Sequence, residues 1–229
     1  MKHLYILVAF ILLALPQQAQ DYERDRDLMV THQVAKRGIR DRRTLKAMRQ
    51  VERHLFVPPQ YMHMAYHDSP LTIGYGQTIS QPFIVGYMTE VIKPKPNHKV
   101  LEVGAGSGYQ AAVLAEIVDK VYTIEIIDEL AKTASERLKK LGYNNVEVIN
   151  GDGYFGLEEE APFDAIIVTA ASEHIPPSLI KQLKEGGKMI IPVGSPFFTQ
   201  SLMLVEKKKG KVSTKSLMPV RFVPFTRSE

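Results

Sequence analysis

Cysteine is absent from this sequence of 229 residues. The chain therefore has neither a disulfide nor a free thiol, which fits an oxidising compartment, where a thiol would be a liability. Basic and acidic residues nearly balance, and the net charge is only +4. This excess of positive charge is too small to argue for a nucleic-acid partner. The sequence has no internal repeat and no low-complexity segment. Its composition, 45% hydrophobic and 24% charged, is ordinary for a globular enzyme, and its length suits one α/β domain with a sizeable core.

The longest apolar run, residues 4–15, is too short to cross a bilayer, which takes about 20 residues. Lys2 precedes the run and a Gln-Ala-Gln sequence follows it. A basic start, a short apolar middle and a polar end predict a secretory signal over residues 1–19, cleaved after Ala19. Gln17 fits poorly where such a site usually has a small residue, and an uncleaved membrane anchor is the alternative. We expect a periplasmic or secreted protein, without stable membrane association once the signal is removed.

A glycine-rich loop near the middle of the chain follows a short apolar run. Residues 100–103 predict a buried parallel strand, and helix-forming residues occupy much of 109–118. Between them Gly104, Gly106 and Gly108 are spaced G-x-G-x-G. A glycine turn before a helix presents backbone N–H groups to a ligand with no Cβ in the way. This arrangement suits phosphates, and equally the carboxylate and ribose end of an adenosyl amino acid.

Three better-known glycine motifs do not match this loop. The dinucleotide fingerprint needs a third glycine where Tyr109 stands, and the Gly-Lys-Ser/Thr ending of a P-loop is absent. A nucleophile elbow around Ser107 needs glycines where Ala105 and Tyr109 stand. The loop for S-adenosylmethionine remains, and we assign Ser107 to it.

Acidic residues stand at or near the ends of three successive predicted strands. Glu102 lies near the end of the first, and Glu125 ends the strand 121–124, where a carboxylate accepts hydrogen bonds from both ribose hydroxyls. Asp152 and Gly153 follow the strand 146–149, and we expect Asp152 to receive the adenine amino group. A tight turn with no ligand is the alternative for this Gly-Asp-Gly sequence.

Strands and helices alternate through the rest of the chain. The pattern predicts helices at 128–141 and 177–183, strands at 165–168, 189–193 and 202–205, a turn at Gly186-Gly187 and a hairpin turn at 207–210. Such alternation predicts an α/β fold of the Rossmann-like type, a mainly parallel sheet with helices on both faces and ligands at the carboxyl ends of its strands. We expect the core over residues 81–229, in a single domain with an N-terminal segment, 20–80.

That N-terminal segment is predicted to hold two helices. The first spans 27–37 and ends at Gly38, and Asp41 caps the second. Its many basic residues are interleaved with acidic ones, which is typical of a solvated face and not of a nucleic-acid site. His63 and His67 have the spacing of a zinc pair, but a Ser-Pro step breaks the segment and no third ligand follows at a fixed spacing. We therefore expect neither a nucleic-acid partner nor a metal.

Over about residues 29–226 the chain closely resembles the protein-L-isoaspartate O-methyltransferases, a family of class I methyltransferases. The resemblance is carried by the glycine loop and by the sequences at Arg53–Pro58, Gly74–Pro82, Pro162–Ala171, Ile191–Gly194 and Val220–Pro224. Many methyltransferases share the glycine loop. The sequence Gln77-Thr78-Ile79-Ser80-Gln81-Pro82 is specific to this family.

The resemblance implies methyl transfer from S-adenosylmethionine to the free α-carboxylate of L-isoaspartyl residues, with D-aspartyl side chains as further acceptors. Damaged proteins and peptides are the implied partners, and their repair is the outcome. Ser80 matches the catalytic serine, and we expect its hydroxyl to orient the acceptor, unless it only caps a helix that begins near Pro82. Gln77, Thr78 and Ile79 lie with it, and Thr226 matches a position that closes over the site. Action on another small acceptor and a non-catalytic adenosyl-binding module are the alternatives.

The implied donor conflicts with the predicted export, because S-adenosylmethionine is made in the cytosol. A cytoplasmic protein that begins at Met29, near the start of the resemblance, is therefore a second interpretation. Against it, an upstream extension of random sequence would rarely contain so regular an apolar run as 4–15, and we favour export.

Overall fold

The computed structural model describes residues 21–228, so the predicted signal lies outside the described residues. The first helix, α1 (Tyr22–Leu28), continues through a π-helical turn (Met29–Val34) and a 3₁₀ turn (Ala35–Arg37). Gly38, at φ 109°, ends it in the left-handed conformation that favours glycine. The predicted helix end is confirmed, but the helix begins five residues before residue 27, because Asp21 accepts a hydrogen bond from Arg24 N and caps it there.

The second predicted helix is confirmed as α2 (Arg42–Gln50), with Asp41 accepting a capping hydrogen bond from Thr44 N at 2.8 Å. Two 3₁₀ turns (Arg53–Phe56 and Pro59–Met64) lead to a small antiparallel hairpin, β1 (Leu71–Gly74) and β2 (Gln77–Ile79). Side chains of this N-terminal segment, among them the fully buried Met29 and Met48, belong to the same apolar cluster as the strands of the main sheet. The segment is therefore packed onto the core.

The main sheet has seven strands in the order β5-β4-β3-β6-β7-β8-β9. These are β3 (Lys99–Val103), β4 (Lys120–Glu125), β5 (Val146–Asn150), β6 (Phe163–Val168), β7 (Leu183–Val193), β8 (Gln200–Lys208) and β9 (Lys211–Val220). Strands β3 to β7 pair in parallel, whereas β8 pairs antiparallel with both β7 and β9. The predicted mainly parallel sheet is confirmed.

Helix α3 (Pro82–Ile92) precedes β3, and three further helices connect strands of this sheet: α4 (Tyr109–Ala115), α5 (Asp128–Lys140) and α6 (Pro177–Gln182). Successive strand residues point to opposite faces, so Val100 joins the apolar cluster that contains α3 and α4, and Leu101 joins the cluster that contains Leu179 of α6. The central strands β3 and β6 are therefore buried on both faces, as their near-continuous apolar sequences predict. None of the helices in residues 21–228 is both long and apolar enough to span a membrane.

The predicted turn at Gly186-Gly187 is wrong. Leu183 already pairs with Phe163 of β6, so β7 begins directly after α6 and both glycines lie inside the strand. They fall where the register between β6 and β7 shifts, and Gly186 has a φ of 81° there. The pair of glycines marks an irregularity within a strand, not its start. The predicted hairpin turn is confirmed, since β8 ends at Lys208 and β9 begins at Lys211.

Candidate functional site

The sheet has a topological switch point between β3 and β6. From β3 the chain adds β4 and β5 on one side, whereas β6 and β7 extend the sheet on the other. Ligands of open α/β sheets bind where the strand order reverses in this way, at the carboxyl ends of the strands. A cleft of about 760 Å³, its open mouth included, lies there. It is lined by the glycine loop, the end of β4, residues 77–80 and residues 223–226.

The glycine loop is held in place by a threonine from the neighbouring strand. Thr169, just after β6, donates its hydroxyl to the carbonyl of Gly104 at 2.6 Å. Gly104 has a φ of 96°, and a Cβ there would lie 2.4 Å from the Thr169 hydroxyl oxygen. Gly106, at φ 51°, also lines the cleft. Any side chain at Gly104 would thus displace the threonine that fixes the loop.

Gly108 lies outside the lining of the cleft. It is the N-cap of α4 in a left-handed conformation, and a Cβ there would lie 3.1 Å from Leu138 of α5. Its position serves the packing of α4 against α5, while its predicted contact with the donor stays a prediction. Ser107, which shares the loop, does line the cleft, and its carbonyl accepts a hydrogen bond from Arg137 at 2.8 Å.

Glu125 connects the end of β4 to the glycine loop. One carboxylate oxygen accepts a hydrogen bond from Gly106 N at 2.8 Å, and the other accepts one from Ile127 N at 3.0 Å. The side chain is buried but lines the cleft. Each carboxylate oxygen has a second lone pair, so Glu125 retains acceptors for two ligand hydroxyls.

Glu102, near the end of β3, is fully buried and also lines the cleft. Its Oε2 accepts a hydrogen bond from the Thr123 hydroxyl at 2.5 Å, whereas its Oε1 has no partner among residues 21–228. Burial raises the pKa of Glu102 to about 8, against the opposing effect of the Thr123 hydrogen bond and with a smaller contribution from the charge of Glu125. The carboxyl group is therefore largely neutral at pH 7, and one of its oxygens is unpaired among residues 21–228.

Asp152 does not line the cleft, and its carboxylate is bonded to the C-terminal end of the described chain. Its carboxylate accepts hydrogen bonds from Arg227 Nε at 2.9 Å, from Ser228 Oγ at 3.0 Å and from Tyr154 N at 3.0 Å. Burial alone would raise the pKa of Asp152, but these hydrogen bonds outweigh it and hold the pKa below its usual value. The predicted contact with adenine stays a prediction. Gly153 does line the cleft, where a Cβ would lie 2.4 Å from Val103.

The cleft is also lined by the residues that the sequence assigns to the acceptor: Gln77, Thr78, Ile79, Ser80 and Thr226. The alternative role for Ser80, as the cap of a helix, is wrong, because Gln81 is the N-cap of α3 and no side chain caps it. Gln81 instead donates its amide to the carbonyl of Asp68 at 3.0 Å. Within the described residues the half-buried Ser80 hydroxyl has no hydrogen-bond partner, so it is available to a ligand.

Residues 223–225 complete the cleft and were not among the predicted site residues. Ala171 N donates to the carbonyl of Val223 at 2.8 Å and Phe225 N donates to the carbonyl of Ala171 at 2.9 Å, so the C-terminal segment crosses the end of β6. Thr169 also lines the cleft, and its position just after the predicted strand 165–168 is the sequence feature that points to it.

Among residues 21–228 no group of three or more potential metal ligands is present, and Asp68 pairs with Arg37 at 2.8 Å.

Comparisons with known proteins agree on one family. Residues 24–229 match the family model described as protein-L-isoaspartate(D-aspartate) O-methyltransferase. A protein-L-isoaspartate O-methyltransferase of Opitutus terrae is 56% identical over 212 residues, which is 91% of each chain. A protein-L-isoaspartate O-methyltransferase 2 of Shewanella sediminis is 48% identical and covers 98% of this chain and 95% of its own. A solved Plasmodium falciparum β-aspartate methyltransferase, in complex with S-adenosyl-L-homocysteine, superposes with a TM-score of 0.77 at 29% identity, over 89% of this chain and 99% of that one.

Proposed function

Since the chain belongs to the protein-L-isoaspartate (D-aspartate) O-methyltransferase family, we propose that the free hydroxyl of Ser80 orients the acceptor carboxylate in the cleft described above. The chain is an S-adenosylmethionine-dependent enzyme that methylates isoaspartyl residues of damaged proteins and so begins their repair. We include the side chain of D-aspartyl residues as a second acceptor, because the family is described by both.

The donor end of the cleft fits S-adenosylmethionine. Gly104 and Gly153 stand where a Cβ would collide with Thr169 or Val103, which keeps the floor of the cleft open. Glu102 and Glu125 supply carboxyl oxygens at this end, and one oxygen of Glu102 is unpaired within the described residues. Bound S-adenosylmethionine supplies a sulfonium whose methyl group is labile. The positive charge of this ligand and its hydroxyl and amino donors suit a site with two acidic residues. An anionic ligand would suit such a site less well.

The acceptor end has a different electrostatic character. Residues 77–80 contribute amide, hydroxyl and apolar groups to the wall and no carboxylate. A carboxylate with a pKa near ~4 is already ionised at neutral pH, so the acceptor needs no general base. The Ser80 hydroxyl then donates a hydrogen bond that aims one oxygen at the methyl group. Holding reactants in line in this way supplies roughly 7–11 kcal/mol of a barrier, and excluding water keeps the anion reactive.

The observation that carries this assignment is that Ser80 shares one cleft with the glycine loop while its hydroxyl has no partner within residues 21–228. Ser80→Ala should lower kcat/KM for an isoaspartyl peptide by about ten- to a hundredfold, because a hydrogen bond to a charged group is lost. The dissociation constant of S-adenosylhomocysteine should stay within about twofold by calorimetry. Ser135→Ala, at an exposed position of α5, is the matched control and should change neither. A large loss of donor affinity would assign Ser80 to the cofactor instead.

We also propose that the protein is exported and cleaved after Ala19. This cut lies just before Asp21, the residue that caps α1. A start at Met29 would remove α1, although Tyr22 stacks on His54 with ring centroids 4.0 Å apart and Asp27 pairs with Arg49 at 2.8 Å. The similarity to the Shewanella sediminis relative covers 98% of the chain and so reaches into the segment before α1. These observations support a mature chain that includes α1.

N-terminal sequencing of the protein from separated cell fractions tests this proposal. We expect a mature chain that begins at Gln20 in the periplasmic or secreted fraction. A cytosolic chain beginning at Met29 would overturn export. An intact Met1 in the membrane fraction would show an uncleaved anchor instead of a removed signal.

A further inference from the structure

Two consecutive phenylalanines project into solvent from the connection between β7 and β8. Phe197 is 88% exposed and Phe198 is 72% exposed, the two highest values among the large hydrophobic side chains of the described residues. A single exposed apolar residue is common, but adjacent large aromatic side chains in water are characteristic of contact surfaces.

A buried side chain fixes the backbone that carries these phenylalanines. Gln200 is 2% exposed, and its amide nitrogen donates to the carbonyls of Ser195 at 3.1 Å and of Phe198 at 2.8 Å. Its amide oxygen accepts a hydrogen bond from Phe222 N at 2.9 Å. Two hydrogen bonds of this buried amide therefore brace the loop itself, and the third ties it to the C-terminal segment. These hydrogen bonds fix the backbone from which Phe197 and Phe198 extend into solvent.

The same residues line a hollow that adjoins the methyl-transfer cleft. The hollow measures about 550 Å³, its open side included, and is lined by Pro196, Phe197, Phe198, Gln200, Arg221, Phe222 and Val223. We call the set Pro196, Phe197, Phe198, Arg221 and Phe222 the aromatic ledge. Val223 lines both the hollow and the cleft, so the aromatic ledge begins where the wall formed by residues 223–226 ends.

We propose that the aromatic ledge binds an apolar side chain of the substrate polypeptide next to the isoaspartyl residue. This inference rests on the proposed function. An extended chain advances about 3.3 Å per residue, so side chains one to three positions from the isoaspartyl group lie roughly 3–10 Å along the chain. The ledge adjoins the cleft at Val223, which lines both. Damaged proteins offer such segments, because apolar residues that are normally buried become accessible when the surrounding chain unfolds.

A substrate segment fits the ledge better than a second copy of the protein does. Two phenylalanine side chains bury about 150–250 Å² each, so the ledge offers roughly 300–500 Å². A stable protein–protein interface needs about 800 Å² from each partner. The ledge is therefore large enough to hold one apolar side chain and too small to hold a folded subunit.

The test compares two isoaspartyl peptides that differ at the flanking positions, one with leucine and one with serine. The wild-type enzyme should prefer the leucine peptide in kcat/KM by about tenfold or more, because a buried leucine side chain is removed from water. The double variant Phe197→Ser, Phe198→Ser should lose that preference and keep the rate on the serine peptide. Both positions are exposed, so the fold should persist, and Leu28→Ser, 42% exposed on α1, is the matched control.

An unchanged leucine preference in the double variant would overturn the proposal. So would an equal loss of activity on both peptides, which indicates a structural role for the loop. A smaller native mass of the double variant than of the wild type would assign the ledge to a second copy. If the wild-type enzyme methylates neither peptide, the proposed function fails, whereas methylation of both without preference overturns the ledge alone.

Discussion

Glu125 accepts a hydrogen bond from the backbone N–H of Gly106 at 2.8 Å, which ties the end of β4 to the glycine loop 19 residues earlier. Its other oxygen is bonded to Ile127 N at 3.0 Å. One carboxylate thus joins the glycine loop to the residues that follow β4, and each of its oxygens keeps a further lone pair.

Glu125→Gln should weaken donor binding. The amide has one oxygen for two backbone donors, and its NH₂ group turns toward the second one. We expect the dissociation constant of S-adenosylhomocysteine to rise by about ten- to a hundredfold in calorimetry, since hydrogen bonds to a charged acceptor are lost. Glu129→Gln, in the exposed first turn of α5, is the control. Binding by Glu125→Gln within twofold of wild type would remove Glu125 from the donor site.

Donor affinity should increase with pH through the neutral range. Burial raises the pKa of Glu102 to about 8, so the carboxyl is protonated in the free enzyme at pH 7. A cationic donor nearby favours the ionised form, and binding should release this proton. The affinity for S-adenosylmethionine should therefore rise by up to about tenfold per pH unit and level off above pH 8. Calorimetry in buffers of different ionisation enthalpy measures the released proton, and Glu102→Gln should abolish both effects.

The same carboxyl affects stability in a defined direction. Its pKa in the folded protein lies above the reference value of 4.5, so its contribution to stability is complete below pH 4.5 and is lost as the pH rises toward 8. Glu102→Gln should flatten this part of the stability profile in urea unfolding. An unchanged slope between pH 5 and pH 8 would contradict the buried, neutral state of Glu102.

Two glycines with similar backbone conformations should respond differently to alanine. Gly104 and Gly142 have φ values of 96° and 85°, but a Cβ at Gly104 would lie 2.4 Å from the Thr169 hydroxyl, whereas nothing lies within 4 Å of one at Gly142. Gly142→Ala should cost about 1–2 kcal/mol of unfolding free energy and leave donor binding unchanged. Gly104→Ala should cost more than that and abolish donor binding. Equal losses would show that backbone conformation alone, not the contact with Thr169, explains the glycine.

Arg227 should hold the C-terminal wall of the cleft in place. It donates to Asp152 at 2.9 Å and lies 3.6 Å above the ring of Tyr154. Arg227→Ala should accelerate hydrogen exchange of the Phe225 amide by about two- to fivefold, the amount expected for a partly exposed ion pair. Lys215→Ala, on the exposed part of β9, is the control. Unchanged hydrogen exchange of the Phe225 amide would mean that the hydrogen bonds to Ala171 hold this segment without Arg227.

The pH dependence of this contact follows from the pKa of Asp152. Hydrogen bonds hold that pKa below its usual value of 3.8, so the stabilisation is complete above about pH 4 and is lost as the pH falls through the lower value of the folded protein. The protection of the Phe225 amide against hydrogen exchange should therefore not weaken at neutral pH, where Asp152 stays ionised.

Local sequence signals predicted the elements that depend on local chemistry. The apolar runs bounded by glycine or acid placed β3 to β6 within two residues of their observed ends. Gly38 and Asp41 marked a helix end and a helix start correctly, because each acts on its own neighbouring backbone. The glycine pair 186–187 failed as a turn because pairing with β6 decides the course of β7.

Long-range contacts could not be predicted from such patterns. Asp152 and Arg227 are 75 residues apart, and nothing near either residue indicates the other. The contribution of residues 223–225 to the cleft likewise depends on hydrogen bonds to Ala171 across the fold. The glycine loop and residues 77–80, in contrast, are each continuous in the sequence, and both line the cleft.

The central claim is that this cleft methylates an isoaspartyl carboxylate and not an ordinary one. The most direct measurement is transfer of a labelled methyl group from S-adenosylmethionine to two peptides of identical sequence, one with L-isoaspartate and one with normal L-aspartate. We predict labelling of the isoaspartyl peptide alone, with release of the label in base as expected for a methyl ester. Equal labelling of both peptides, or donor binding without transfer to either, would contradict the account.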